Sequence, residues 1–310
     1  MLKRLVFVVF IAFFSSFLCF VMLHFSKASA AFAKRGNAVS LEARQRLEAT
    51  FGLDKPLMEQ YVAWIFRALR GDLGFSLISG ESVLSLVKER IFNTLILSLS
   101  ALMLLFFLSL TLALLCLLYE NSLLDRALSF ICMSFLALPS FALSLLFILF
   151  FGAFLQILPT SGTSDISLEN DFSNRLSHLA LPLSVLVLSH LAVFMQVARN
   201  ALIESHHKPF ILNAYARGLR RRRIFLHLTL KHALTPIISY FGACALSFMM
   251  GAYVVESVFS YAGVGNLMIQ SILYKDYPVV LALVFISVLL AGFFTFTADC
   301  LCRLIHPSIE

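Results

Sequence analysis

Few residues in this chain are equipped for chemistry, and most of them are cations or acids at the ends of apolar runs. Glu256 and Asp299 follow directly on long apolar runs, so both are candidates for polar groups along a pathway through an apolar phase. His206, His207, His227 and His232 lie within one basic stretch, but their spacing matches no strong ligand pattern, and no metal site is expected there. Arg217 and the run Arg220 to Arg223 make that stretch strongly cationic. Neither an H-E-x-x-H nor a G-x-S-x-G pattern occurs, so no convergent catalytic group is visible and no enzyme activity is expected. No G-x-x-x-x-G-K-[ST] loop occurs either, so the chain is not expected to bind ATP itself, and no cofactor is implied.

The elements that must hold these residues are set by composition. The chain has 310 residues, of which 60% are hydrophobic and 13% charged. A soluble domain carries about 25% charged residues, so this surface is not built for water. A helix needs roughly 20 apolar residues to cross a bilayer. Six runs qualify: Leu5 to Phe25, Phe92 to Tyr119, Ala127 to Leu158, Leu179 to Ala198, Ala233 to Val255 and Tyr277 to Ala298. Pro139 is expected to bend or tilt the third, and Pro182 and Pro278 either kink helices or mark their ends. The fold expected is an all-α, multi-pass bundle of six transmembrane helices in a bilayer. The first run exceeds a signal-peptide core of about 7–15 residues, so it is expected to stay as a helix although Ala28, Ser29 and Ala30 follow it.

Lysine and arginine set the orientation. Arg199 to Lys231 holds eight basic residues and one acid, Glu204, which places it on the cytoplasmic side. Counting spans puts both termini inside as well. The net charge of +7 is then a matter of topology, and no nucleic-acid partner is implied. The expected division is a first helix over 1–26, an extracytoplasmic segment over 27–91, a five-span core over 92–304 and a tail over 305–310. The extracytoplasmic segment carries helical patterns over Ser40 to Thr50 and Pro56 to Leu69, a turn at Gly71 to Gly74, and an amphipathic lead-in from Ser82 to Asn93. The loops over Pro159 to Ser177 and Phe259 to Asp276 read as external. The six cysteines lie in or beside spans and suggest packing rather than disulfides.

The segment 199–236 is longer than a connection requires. Phe210 to Arg217 is helical in pattern, Gly218 suits a left-handed C′ position, and Leu219 to Leu234 is helical again. Asn213 to Leu219, followed by Lys231 to Pro236, resembles the cytoplasmic EAA-type signature of ABC importer permeases, in the dipeptide/oligopeptide/nickel branch. Phe51 to Leu57, Gly71 to Gly74, Leu138 to Phe141, Leu158 to Gly162, His178 to Pro182, Val254 to Phe259, Gly263 to Gly265 and Asp276 to Pro278 resemble the same branch, in order and along nearly the whole chain. Pro209, Arg220, Arg221 and His306 to Ser308 depart from its pattern. The resemblance implies the type I importer permease fold. It implies a pathway for small peptides or a nickel chelate delivered by an extracytoplasmic binding protein. It implies partners in separate ATP-binding subunits and a second, related permease subunit. It also implies ATPase coupling through Phe210, Asn213, Ala214, Tyr215, Ala216, Arg217, Gly218, Leu219 and Pro236, with Glu256, Asp299 and Pro139 as pathway candidates. A secondary transporter or channel is the alternative class; it requires ion-coupling polar groups deep in the spans, where the sequence offers little beyond Ser, Thr, His24 and His190.

Overall fold

The computed structural model describes residues 2–25, 56–165, 168 and 171–305. The expected helix over Ser40 to Thr50 and the tail over 306–310 lie outside the described residues. Helix accounts for most of the described residues, and among them the sole pairing of extended backbone is the bridge between Phe75 and Ser82. In chain order the helices are α1 (Leu2–Phe25), α2 (Leu57–Leu69), α3 (Val83–Leu118), α4 (Leu123–Leu136), α5 (Ser140–Phe147), α6 (Phe172–His206), α7 (Pro209–Ala216), α8 (Arg221–Ile224), α9 (Leu230–Ala243), α10 (Ala245–Val258), α11 (Val264–Tyr274) and α12 (Tyr277–Ile305). π-helical turns extend α5 over Ile148–Phe154 and join α8 to α9 over Phe225–Thr229.

α1, α3, α4 with α5, α6, α9 with α10, and α12 lie on the six apolar runs, while α2, α7, α8 and α11 lie between them; by length and composition three to five of the runs, α1 not among them, qualify as spans among the described residues. Three of them, α3, α6 and α12, are long and apolar enough to cross a membrane unbroken. α3 has 36 residues, about 54 Å of rise, so the amphipathic lead-in and the second span form one rod. Two further spans are bent pairs. The third run turns by 98° between α4 and α5, a far sharper change than a tilt. Pro139 is the cause: it lacks an N–H and biases Leu138 away from helical backbone, and it caps α5 in extended conformation. The fifth run, expected to be continuous, bends by 54° at Cys244 between α9 and α10. Pro182 and Pro236 stand inside α6 and α9, whereas Pro278 lies in the first turn of α12.

Two compact units divide the chain: residues 1–94 with 262–292, and residues 95–261 with 293–310. In the first, Trp64 on α2 is buried between Tyr61 and Phe285, and the Tyr61 hydroxyl donates to the Phe13 carbonyl at 2.7 Å. Lipid is as apolar as a leucine side chain, so such packing and interhelical hydrogen bonds hold the helices together. The Thr94 hydroxyl accepts from the Val264 amide at 2.7 Å and so serves the first turn of α11. The Asp276 carboxylate, just before α12, accepts from the Ser76 hydroxyl and from the Leu77 amide at 3.0 Å. Burial pushes the Asp276 pKa up, and these donors pull against it.

In the second unit, α6 is the central rod, and its buried Leu181, Val185, Leu186, Phe194 and Met195 join the largest apolar cluster. Gly242 on α9 allows close contact with α12. A Cβ placed on it would sit 2.4 Å from the Ala298 methyl, and the Thr295 hydroxyl donates to the Gly242 carbonyl at 2.9 Å.

Because the raised Asp276 pKa means that its charge is held at a cost, Asp276→Asn is expected to be tolerated better than Asp276→Ala. The alanine variant loses the cap of α12 and the clip to Ser76, with an expected loss of about 1–2 kcal/mol. Thermal unfolding of the purified variants in detergent checks the order.

Candidate functional site

The segment 199–236 is built around α7. Lys208 is extended and Pro209 occupies the first helical position, where a missing N–H costs nothing. The helix ends as the glycine foretold. Gly218 has φ of 75°, its amide donates to the Tyr215 carbonyl at 2.9 Å, and the Leu219 amide reaches back to Ala214 at 3.2 Å. That pair of bonds is a Schellman motif. A Cβ at Gly218 would meet nothing within 4 Å, so backbone conformation rather than crowding calls for glycine.

Two faces follow. Ile211 and Ala214 are buried with Ile224, and Phe210, Leu219 and Leu228 pack partly around them. The Phe210 ring also lies 4.8 Å from that of His232 on α9. On the other side Leu212, Asn213, Tyr215, Ala216 and Arg217 are exposed. The residues singled out in sequence therefore divide by job. Ala214, Phe210, Leu219 and Gly218 hold α7 in shape, and Asn213, Tyr215, Ala216 and Arg217 are available to a partner. Pro236 lies inside α9 and belongs to neither face. Leu212 joins the exposed face at 65% accessibility; its missing signal was a helical register, which α7 supplies once its start at Pro209 is known.

Arg217 and Arg220 to Arg223 are all exposed. α8 begins without an acid in its first turn and without a side-chain cap. Glu204 is engaged locally, 3.7 Å from Lys208. The His206 Nδ1 lies 3.2 Å from the Thr229 hydroxyl, which ties the end of α6 to the start of α9. No group of three or more His, Cys, Asp or Glu side chains suited to a metal occurs among the described residues.

The pathway candidates stand on three separate elements. Glu256, near the end of α10, is fully buried, and its carbonyl accepts from the Tyr261 amide at 2.8 Å. Burial pushes the Tyr261 phenol up to about 12; the Glu256 charge adds to this and Arg175 opposes it. Asp299 is half-buried on α12, beside the Ala298 contact with Gly242. Pro139 forms the break between α4 and α5. Sequence reasoning missed two polar pins. Buried His178 donates from Nδ1 to the Ser161 carbonyl at 2.9 Å, and its Nε2 lies 3.5 Å from Asp165, so α6 grips the loop before it. Arg199 on α6 donates to Asp125 on α4 at 2.9 Å.

Residues 105–310 match the model of the family described as binding-protein-dependent transport system inner membrane component. The chain belongs to that family. This inner-membrane component is 31% identical over 273 residues to the oligopeptide transport system permease protein AppB of Bacillus subtilis, covering 88% of this chain and 86% of that one. It is 29% identical to the oligopeptide transport system permease protein OppB of Escherichia coli, over 87% and 86% of the two chains. Among solved structures, an inward-facing MetNI methionine ABC transporter chain superposes with a TM-score of 0.56 at 18% identity, covering 71% of this chain and 96% of that one. That likeness shows the fold, the helical bundle of an importer permease; the family match makes the chain a multi-pass inner-membrane component, and its family is a transport component rather than an enzyme.

Gly218→Ala is expected to strain the α7 terminus by about 1–2 kcal/mol, the cost of a left-handed L-residue. Hydrogen exchange at the Leu219 amide, slowed by its bond to Ala214, is expected to accelerate in the variant while the α3 amides stay protected.

Proposed function

We propose that this inner-membrane component is the permease subunit of an ATP-driven importer of oligopeptides. The observation that carries the cargo is the pair of relatives named as oligopeptide transport permeases, each aligned over most of both chains. That narrows the expectation of peptides or a nickel chelate to peptides. The cargo arrives on an extracytoplasmic binding protein. A second, related permease subunit completes the pathway, and two separate ATPase subunits supply the energy.

In this reading 199–236 is cytoplasmic, both termini are inside, and residues 27–91 face outward. α7 is the coupling helix. Leu212, Asn213, Tyr215, Ala216 and Arg217 enter a groove on an ATPase subunit, and the Gly218 cap keeps that face in register. Its buried face, Ile211 and Ala214 against Ile224, hands displacement to the run of helix from α8 into α9. Packed cores are bistable rather than continuously deformable, so a push on α7 rotates whole spans and exchanges outward for inward access. Glu256, Asp299 and the break at Pro139 are proposed to lie along the pathway that opens.

A variant of the exposed face tests the coupling role. Leu212→Asp removes no buried contact, so membrane insertion is expected to remain normal. ATPase subunits are expected to stop co-purifying with the permease, and uptake of labelled oligoalanines to fall more than about tenfold, as for a hot-spot residue. Normal co-purification with normal uptake would sink the assignment of α7.

A further inference from the structure

Asp125 and Arg199 are far apart in sequence and meet in the second unit. The Arg199 Nη2 donates to Asp125 Oδ2 at 2.9 Å, with side chains 21% and 6% exposed. The same carboxylate oxygen accepts from the Asn121 amide at 3.2 Å, in a turn where Asn121 itself is left-handed at φ 62°. The Ser122 hydroxyl accepts from the Asp125 amide at 3.3 Å and so caps α4. The Cys116 thiol of α3 lies beside the carboxylate. One carboxylate thus gathers the end of α3, the turn, the start of α4 and the middle of the polar end of α6.

A buried ion pair is a poor device for stability alone, since desolvation consumes most of its attraction. What it does supply is register. α4 otherwise meets this unit through Leu128, Cys132 and Phe135, apolar side chains whose contacts fix separation and leave sliding cheap. A charged hydrogen bond is directional and stops the slide. Arg199 also sits where movement must pass. Next to it on α6, Ala198, Ala201 and Leu202 pack on Ala113 of α3 and on Ala233 and Ile237 of α9, and α7 begins ten residues later.

We propose that the Asp125–Arg199 pair is a positioning link that makes the α3–α4 turn and the α7 segment move as one body, so that force arriving at α7 reaches the bent span α4–α5. This rests on the coupling role proposed for α7. Neither residue need touch cargo or ATPase.

The test uses the full complex in proteoliposomes, with spin labels on genetically encoded residues at exposed positions 123 and 220, outside the face proposed to dock. The wild type is expected to show one narrow distance, the same without nucleotide and in the ATP-trapped state. Arg199→Met is expected to broaden it, and to cut oligoalanine transported per ATP hydrolysed by at least about fivefold, the low end of coupling between sites. Where a lone buried charge keeps a single variant from assembling, the neutral pair Asp125→Asn with Arg199→Met decides, because it removes the link without stranding a charge. Distances in that double variant as narrow as in the wild type, or an unchanged ratio of cargo to ATP, overturn the proposal. A wild type that holds the narrow distance and moves no oligoalanine with ATP contradicts the importer reading and leaves the link standing.

Discussion

A backbone amide in hydrocarbon has no water to bond, so every span must close its own hydrogen bonds or hide the break in protein. Most of the architecture descends from that constraint. α3, α6 and α12 satisfy it with unbroken helix. The two bent spans satisfy it locally: Pro139 brings no N–H to the break, and its carbonyl takes the Leu143 amide at 3.0 Å. At Cys244 the amide donates to the Tyr240 carbonyl and the carbonyl accepts from the Phe248 amide, so this residue keeps both helical partners at the 54° bend.

Polar contacts then decide how the rods are fixed. Apolar surface draws helices together weakly in lipid, so register rests on a few directional bonds. Thr94 with Val264, Asp276 with Ser76 and Leu77, Thr295 with Gly242, His178 with Ser161, and Asp125 with Arg199 are such bonds. Each of the five has a partner at a helix end or in a turn, where backbone groups are left without helical partners. The Arg199 pair differs in joining two helices through charge, next to the segment that carries α7.

The apolar runs were plain in the sequence because lipid demands length and uniformity, and both survive in composition. Gly218 was plain too, since a left-handed cap admits few residues. The break at Cys244 was not: no proline stands there, and the nearby Pro236 sits within α9 instead. Trp64 gave no sign that it would be buried against Phe285, because its partner lies far along the chain. The same distance hid Asp125 and Arg199, which in sequence are an ordinary loop acid and one more cation in a basic stretch. For α7, the sequence pattern put the helix at Phe210 to Arg217, one residue later than its place at Pro209–Ala216, and could not say which residues faced outward. That needed the helix start at Pro209 and the contact with Ile224.

The central claim is that ATP, through α7, drives cargo across this bundle. Its most direct test is uptake by the reconstituted complex with the energy sources separated. Labelled oligoalanines are offered with the binding protein outside, with ATP inside and no ion gradient, and then with a proton or sodium gradient and no ATP. The account expects accumulation in the first case and none in the second. Accumulation on the gradient alone, with ATP making no difference, would contradict it.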